Sequence, residues 1–168
     1  DGLVAFRQKF EEGDHDAIRE YLERVFEAST YPDSVDLEYE VAVDPQGQTV
    51  VIEVAAPPQD SIPRVKQHKF VASRSCIDEV HLKDREHDGI YDELLKQVAL
   101  RTMHECFESL YTPHIESVVV NVWVTSIDRA TGNDTTSCVL SVMAGCDEFM
   151  KINLARVDAS QCIRSLKG

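Results

Sequence analysis

The run Gln67-His68-Lys69 lies downstream of three carboxylates, Asp44, Glu53 and Asp60. An acid followed on a later strand by an acid or glutamine, any residue and then lysine is a donor set suited to phosphodiester hydrolysis. The carboxylates would ligate Mg²⁺ through oxygen, and the lysine would organise the attacking water and the charge on phosphate. The triplet at Glu53-Val54-Ala55 has alanine where lysine is needed, so only Gln67 and Lys69 complete the pattern. A triplet this loose arises readily by chance, and the competing reading is an ordinary surface strand.

A second group lies on one helical stretch. Arg101 and Glu105 are spaced i,i+4, as are His104 and Glu108, and such pairs meet on a helix face. A His–Glu pair can move protons, but no second histidine completes a zinc-binding helix. The expected role of Arg101, His104 and Glu105 is structural docking. Asn121 and Trp123 interrupt an apolar run. A buried amide needs partners, so Asn121 is expected to anchor a turn or a neighbouring strand. The least poor metal cluster among the histidines and cysteines is Cys76 with His81 and His87, and it lacks metal-ligand spacing. A nucleophile elbow, a phosphate-binding glycine loop and a dinucleotide fingerprint are all missing from the 168 residues.

Composition bounds the partners. The chain has 17 basic and 30 acidic residues, a net charge of −13. That balance opposes non-specific binding to nucleic acid or to an anionic membrane. The one locally basic segment runs over 64–85, with Arg64, Lys66, Lys69, Arg74, Lys83 and Arg85. Those side chains are the candidates for DNA contact. Five cysteines, an odd number with none at CxxC spacing, fit a reduced cytoplasmic setting. The sequence holds neither a membrane-length apolar run nor a signal-peptide pattern.

The elements that must position these residues follow from periodicity. Leu3, Phe6 and Phe10 have helical spacing, and residues 1–13 read as the end of a helix begun upstream. After Gly13, Ile18, Tyr21, Leu22, Val25 and Phe26 line one face of a second helix. Alternation over 35–43 and 49–54, joined by Asp44-Pro45-Gln46-Gly47, predicts a hairpin. Residues 67–72 read as a third strand and 73–88 as a loop or short helix. The strongest helix runs from about Asp88 to Glu108. Residues 117–127 are apolar on both faces, which predicts a central strand, and 135–144 pairs back. A helix over 147–157 and a capped final turn at Asp158-Ala159-Ser160-Gln161 complete the chain. The predicted order is α-α-β-β-β-α-β-β-α-α. It describes a single α+β domain over 14–168, with a mostly antiparallel sheet of about five strands and a long packed helix. Its α-β-β-β-α-β portion is also the core order of PD-(D/E)xK nucleases.

The strings YDELLKQVALRTMHECFES, VVVNVWVTSIDRATG and CDEFMKINLARVDASQCIRSLKG resemble a region of bacterial restriction-system proteins that precedes an Mrr-like endonuclease domain. The resemblance runs from about Ile18 to Gly168. It implies that the chain continues past SLKG into a nuclease domain that carries Mg²⁺-dependent DNA cleavage. The present region would then be a non-catalytic accessory module without a cofactor of its own. Its expected partners are a second copy or its own nuclease domain, with DNA a partner of the parent protein. The alternatives are a live or degenerate nuclease core using Asp44, Glu53, Gln67 and Lys69, or a DNA-targeting module using Arg64, Lys66, Lys69 and Arg74.

Overall fold

Helix α1 (Gly2–Glu11) buries Phe10, and α2 (His15–Ala28) buries Ala17, Ile18, Leu22 and Phe26. Gly13 turns one helix into the other at φ +81, in the left-handed region that glycine tolerates. A Cβ there would come within 2.9 Å of the His114 ring. Asp14 caps α2, its carboxylate accepting from the Ala17 N–H at 2.9 Å. The edge of the Phe10 ring meets Tyr21 at 4.8 Å between centroids, which ties the two helices together.

Strands β1 (Glu38–Val43) and β2 (Thr49–Ala56) form the expected antiparallel hairpin. Asp44 holds its turn by accepting from the Gln48 and Thr49 N–H groups, each at 2.8 Å. After a short 3-10 turn, Gln59–Ser61, come β3 (Val65–Val71) and β4 (Cys76–His81), which pair with each other alone. Helix α3 (Asp84–Ser109) follows, then β5 (Ser117–Ile127), β6 (Asp134–Gly145), α4 (Cys146–Phe149) and α5 (Ala159–Ser165). These assignments come from a computed structural model that describes residues 2–110 and 113–166. The terminal Lys167 and Gly168 of the SLKG string lie outside the described residues.

The fold is a single α+β domain. Its main sheet has four strands in the order β1-β2-β5-β6. β5 lies centrally, as its apolar run predicts, antiparallel to β6 and parallel to β2. The strand expectations need three corrections. The described residues form six strands, and β3 stands off the main sheet with β4 instead of extending it. β4 occupies residues read as loop or short helix, because Asp78, Glu79 and His81 mask its alternation. Parallel pairing of β2 with β5 is the departure from an otherwise antiparallel arrangement, and α3 supplies the crossover that such a pair requires.

The helices also differ from expectation. α3 starts at Asp84, where the Glu86 carboxylate accepts from the Lys83 N–H at 3.1 Å and satisfies an otherwise unpaired donor. The helix expected over 147–157 is only the single turn of α4, and 150–158 is irregular. Asp158 does cap α5, through the Gln161 N–H at 2.8 Å. No helix among the described residues is long and apolar enough to cross a membrane.

The core lies on one side of the main sheet. Val50, Ile52 and Val54 of β2 and Val118, Val120 and Val122 of β5 are fully buried, together with Val98, Ala99 and Met103 of α3. The alternate residues Thr49, Val51 and Glu53 of β2, and Ser117, Val119, Asn121 and Trp123 of β5, are only half-buried on the opposite face.

His87 is the fully buried polar anchor of α3. Its Nε2 lies 3.0 Å from the Ile62 carbonyl and therefore carries the hydrogen, leaving Nδ1 to accept from the Gln59 amide at 3.2 Å. Gln59 also donates to Asp88 at 2.7 Å. Replacing His87→Ala removes both bonds and opens a void, so we expect a loss of about 2–4 kcal/mol in urea unfolding. A change below about 0.5 kcal/mol, within the range of ordinary surface substitutions, would show that this anchor does not hold the start of α3.

Candidate functional site

The residues of the metal pattern are held apart. Asp44 sits in the β1–β2 turn, where backbone N–H groups, Thr49's first among them, hold its carboxyl below the ordinary range. Glu53 lies mid-strand on β2, and Asp60 lies in the 3-10 turn. Gln67 and Lys69 lie on β3, in the other sheet, both exposed, with Lys69 opposite Asp78. Among the described residues, no three His, Cys, Asp or Glu side chains gather as a cation's ligands. Mg²⁺ requires converging oxygens at about 2.0–2.1 Å, so this donor set does not fit the ion and no catalytic step is derived through it.

Glu53 instead joins a network across three strands. Its carboxylate accepts from the Asn121 amide at 3.0 Å and from the Trp123 indole N–H. Ser141 donates to the Asn121 carbonyl oxygen at 2.7 Å. Asn121 thus anchors neighbouring strands, as a polar residue in an apolar run must.

Three of the six cations of the basic segment pair with carboxylates. Arg64 donates to Asp84 at 2.7 Å and Lys66 to Glu86 at 2.8 Å, docking β3 onto the first turn of α3. Arg74 pairs with Asp78 inside the hairpin. The hydrogen bond from Arg64 holds the Asp84 carboxyl below its usual value, and that from Lys66 does the same for Glu86. Lys69 makes no ion pair among the described residues, and Lys83 forms the N-cap of α3. Among its exposed polar residues the hairpin also presents an apolar pair. Phe70 and Ile77 stand directly opposite each other and are 63% and 67% exposed.

The third group gathers at the C-terminal half of α3. Arg101 Nε donates to Glu105 Oε1 at 2.8 Å, and a second guanidinium nitrogen donates to Ser29 Oγ at 3.0 Å. Ser29 in turn donates to the same Glu105 oxygen at 2.8 Å. The guanidinium stacks over the Tyr31 ring, 4.2 Å from its centroid. Arg101 and Glu105 are therefore brought together as expected, fixing the loop after α2 to α3. His104 turns away to Glu108 at 3.4 Å, and Asn121 belongs to the open sheet face.

Beside this cluster, between α2 and β1, opens a cavity of about 720 Å³ lined entirely by residues 23–39. Glu23, Glu27, Asp33, Asp36 and Glu38 ring it, with Phe26, Tyr31 and Tyr39 in its wall. Phe26 and Tyr39 stack at 4.7 Å. Sequence reasoning missed this cavity because its carboxylates come from a helix, an irregular loop and a strand. It missed the Phe70–Ile77 pair because β4 was not recognised, although alternation from Cys76 to His81 was the available signal.

No protein-family model, curated protein or solved structure matches the chain significantly. The fold and the geometry above therefore carry the functional argument.

Two predictions concern the α2–β1–α3 junction. Burial, more than any other cause, pushes the Tyr39 phenol well above its ordinary value of 10. The unfolded chain would ionise first, so the contribution of Tyr39 is whole below about pH 10 and falls away as pH rises further. Tyr39→Phe should flatten the loss of stability seen between pH 9 and pH 11 in urea titrations, and an unchanged slope would contradict this. The Thr102 hydroxyl, fully buried beside that phenol, makes no hydrogen bond of acceptable geometry among the described residues. Thr102→Val should leave stability unchanged or raise it by about 1 kcal/mol. A loss of that size would mean the hydroxyl is bonded.

Proposed function

We propose that this chain is a non-catalytic accessory domain of a restriction-type endonuclease, acting in assembly, with Mg²⁺-dependent DNA cleavage carried by a separate nuclease domain. The observation that carries the assembly role is the exposed Phe70–Ile77 pair on an ordered hairpin outside the main sheet. Folding does not require a large apolar pair to face water, and exposed apolar surface on ordered structure suits contact with another protein. The link to restriction systems rests on the three strings quoted above.

Other features support the same reading. Asp44, Glu53, Gln67 and Lys69 do not converge, which weakens the nuclease-core alternative. Arg64, Lys66 and Arg74 are engaged by Asp84, Glu86 and Asp78, which weakens the DNA-targeting alternative. Neighbouring carboxylates repel the phosphates that such cations would have to reach.

Light scattering on the 168-residue chain at low salt, with and without duplex DNA and Mg²⁺, tests the proposal. The expected result is a mass above the 18.9 kDa monomer that rises with concentration and ignores DNA, with no nicking of supercoiled plasmid. A monomer that shifts onto duplex DNA would transfer the function to 64–85. Nicking abolished by Lys69→Ala would restore the nuclease core.

A further inference from the structure

The main sheet has two edges, β1 and β6. An edge strand carries a row of unpaired N–H and C=O groups, a template for another strand unless charge, proline or a bulge guards it. β1 is guarded: Glu38 and Glu40, both exposed, put two carboxylates into six residues. β6 has one charged residue in twelve, Asp134 at its first position, and no proline. A bulge at Val139 is the one guard it carries, and the strand residues adjoining the bulge are uncharged. The side of β6 away from β5 has no strand beside it. Over 135–144, no backbone hydrogen bond among the described residues reaches beyond the pairing with β5. The one side-chain bond to this stretch of backbone runs from the Cys138 thiol, a weak donor, to the Leu140 carbonyl at 3.5 Å.

The outer half of the β5–β6 hairpin lacks neighbours altogether. β2 ends at Ala56, opposite Val124. Residues 125–127 and 134–136 therefore continue as a two-stranded ribbon, exposed throughout. A lone ribbon is marginal in water, and further strands support it. Charge selects the strand that fits beside it. The net charge is −13, so two copies repel over most of their surface and approach where carboxylates are few. Of the two sheet edges, β6 is that place. Antiparallel alignment of two β6 strands keeps their Asp134 side chains apart, whereas parallel alignment would set them side by side. It also carries the turn over 128–133 of one copy past residue 142 of the other, toward α4. Arg129 lies in that turn and Asp147 and Glu148 lie in α4, all three exposed. None of the three makes an ion pair among the described residues, so opposite charges are available to meet across the pair.

We propose that two copies of this chain pair antiparallel through β6, about a two-fold axis near Cys138, and join their four-stranded sheets into one. The proposal rests on the assembly reading and assigns self-association to this edge, leaving the Phe70–Ile77 pair for a different protein. The contact is isologous, so it closes at two copies. With the axis at Cys138, the two Asp134 lie eight residues apart along the joined strands, about 27 Å at 3.4 Å per residue. Each ribbon gains the β6 and β5 of the other copy as sheet neighbours.

The test uses the full 168-residue chain. Light scattering should show a mass that rises with concentration and levels at twice 18.9 kDa. Ser137→Lys/Val139→Lys sets like charges on both edges and should hold the chain at the monomer mass. The same change lowers the net negative charge, so general repulsion does not account for the loss. Phe70→Ser/Ile77→Ser should still form the dimer. Circular dichroism melts check that both variants are folded. A short bis-maleimide should link the parent dimer through Cys138, and Cys138→Ser should abolish the link; this arm decides the matter should the lysine variant not fold. If the parent associates and the folded lysine variant associates equally well, the β6 pairing is wrong while the assembly reading stands. A mass that grows past two copies also overturns the pairing. So does a dimer that the reagent does not link, a link that survives Cys138→Ser, or a dimer lost in Phe70→Ser/Ile77→Ser. A monomeric parent overturns both readings.

Discussion

Thr49–Ala56 and Ser117–Val124 run side by side in the same direction over eight residue pairs. Parallel neighbours cannot be joined by a tight turn, so the chain must cross back over the sheet between them. Helix α3, 26 residues and about 39 Å long, makes that crossing. It lays Val98, Ala99 and Met103 onto the valines of β2 and β5. Each valine or methionine side chain so buried favours the folded state by about 1.5–3 kcal/mol relative to exposure. Because the crossover lies on one side, the opposite face of the main sheet is left half-buried.

That arrangement explains where the polar side chains found partners. On the open face, Glu53, Asn121, Trp123 and Ser141 close a chain of hydrogen bonds across β2, β5 and β6. Under α3, His87 fixes the start of the helix to the loop after β2, and Arg101 with Glu105 fixes its later turns to the loop after α2. The His104–Glu108 pair lies along one face of α3, both side chains partly exposed. The same crossover segment carries the β3–β4 hairpin as an outlying unit. Its attachment through Arg64–Asp84 and Lys66–Glu86 is ionic and solvent-exposed, and exposed pairs of this kind hold weakly.

The core-facing residues of α2, the β1–β2 hairpin with its Asp-Pro-Gln-Gly turn, the centrality of β5 and the cap at Asp158 were legible in the sequence. Each rests on local periodicity or on local hydrogen bonding between residues a few positions apart. The prediction that Asn121 would need a strand partner was likewise local in origin, because an amide in an apolar run has few alternatives. Charge imbalance and the absence of a phosphate-binding loop are also properties of the string alone.

The rest depended on distances in space. Gln67 and Lys69 satisfied a spacing rule, yet strand pairing placed them in a different sheet from Glu53. β4 escaped notice because Asp78, Glu79 and His81 interrupt its apolar residues and its inward residues are only half-buried, so alternation carried little hydrophobic contrast. The helix expected over 147–157 stopped after Phe149, since a favourable local pattern does not hold a helix that lacks an apolar face to dock. The acidic cavity joins α2 to β1, and the Phe70–Ile77 pair joins β3 to β4. Local sequence therefore set element types, turns and the charge of each segment. Tertiary pairing alone decided which side chains met, because convergence of groups tens of residues apart is set by sheet order and crossover.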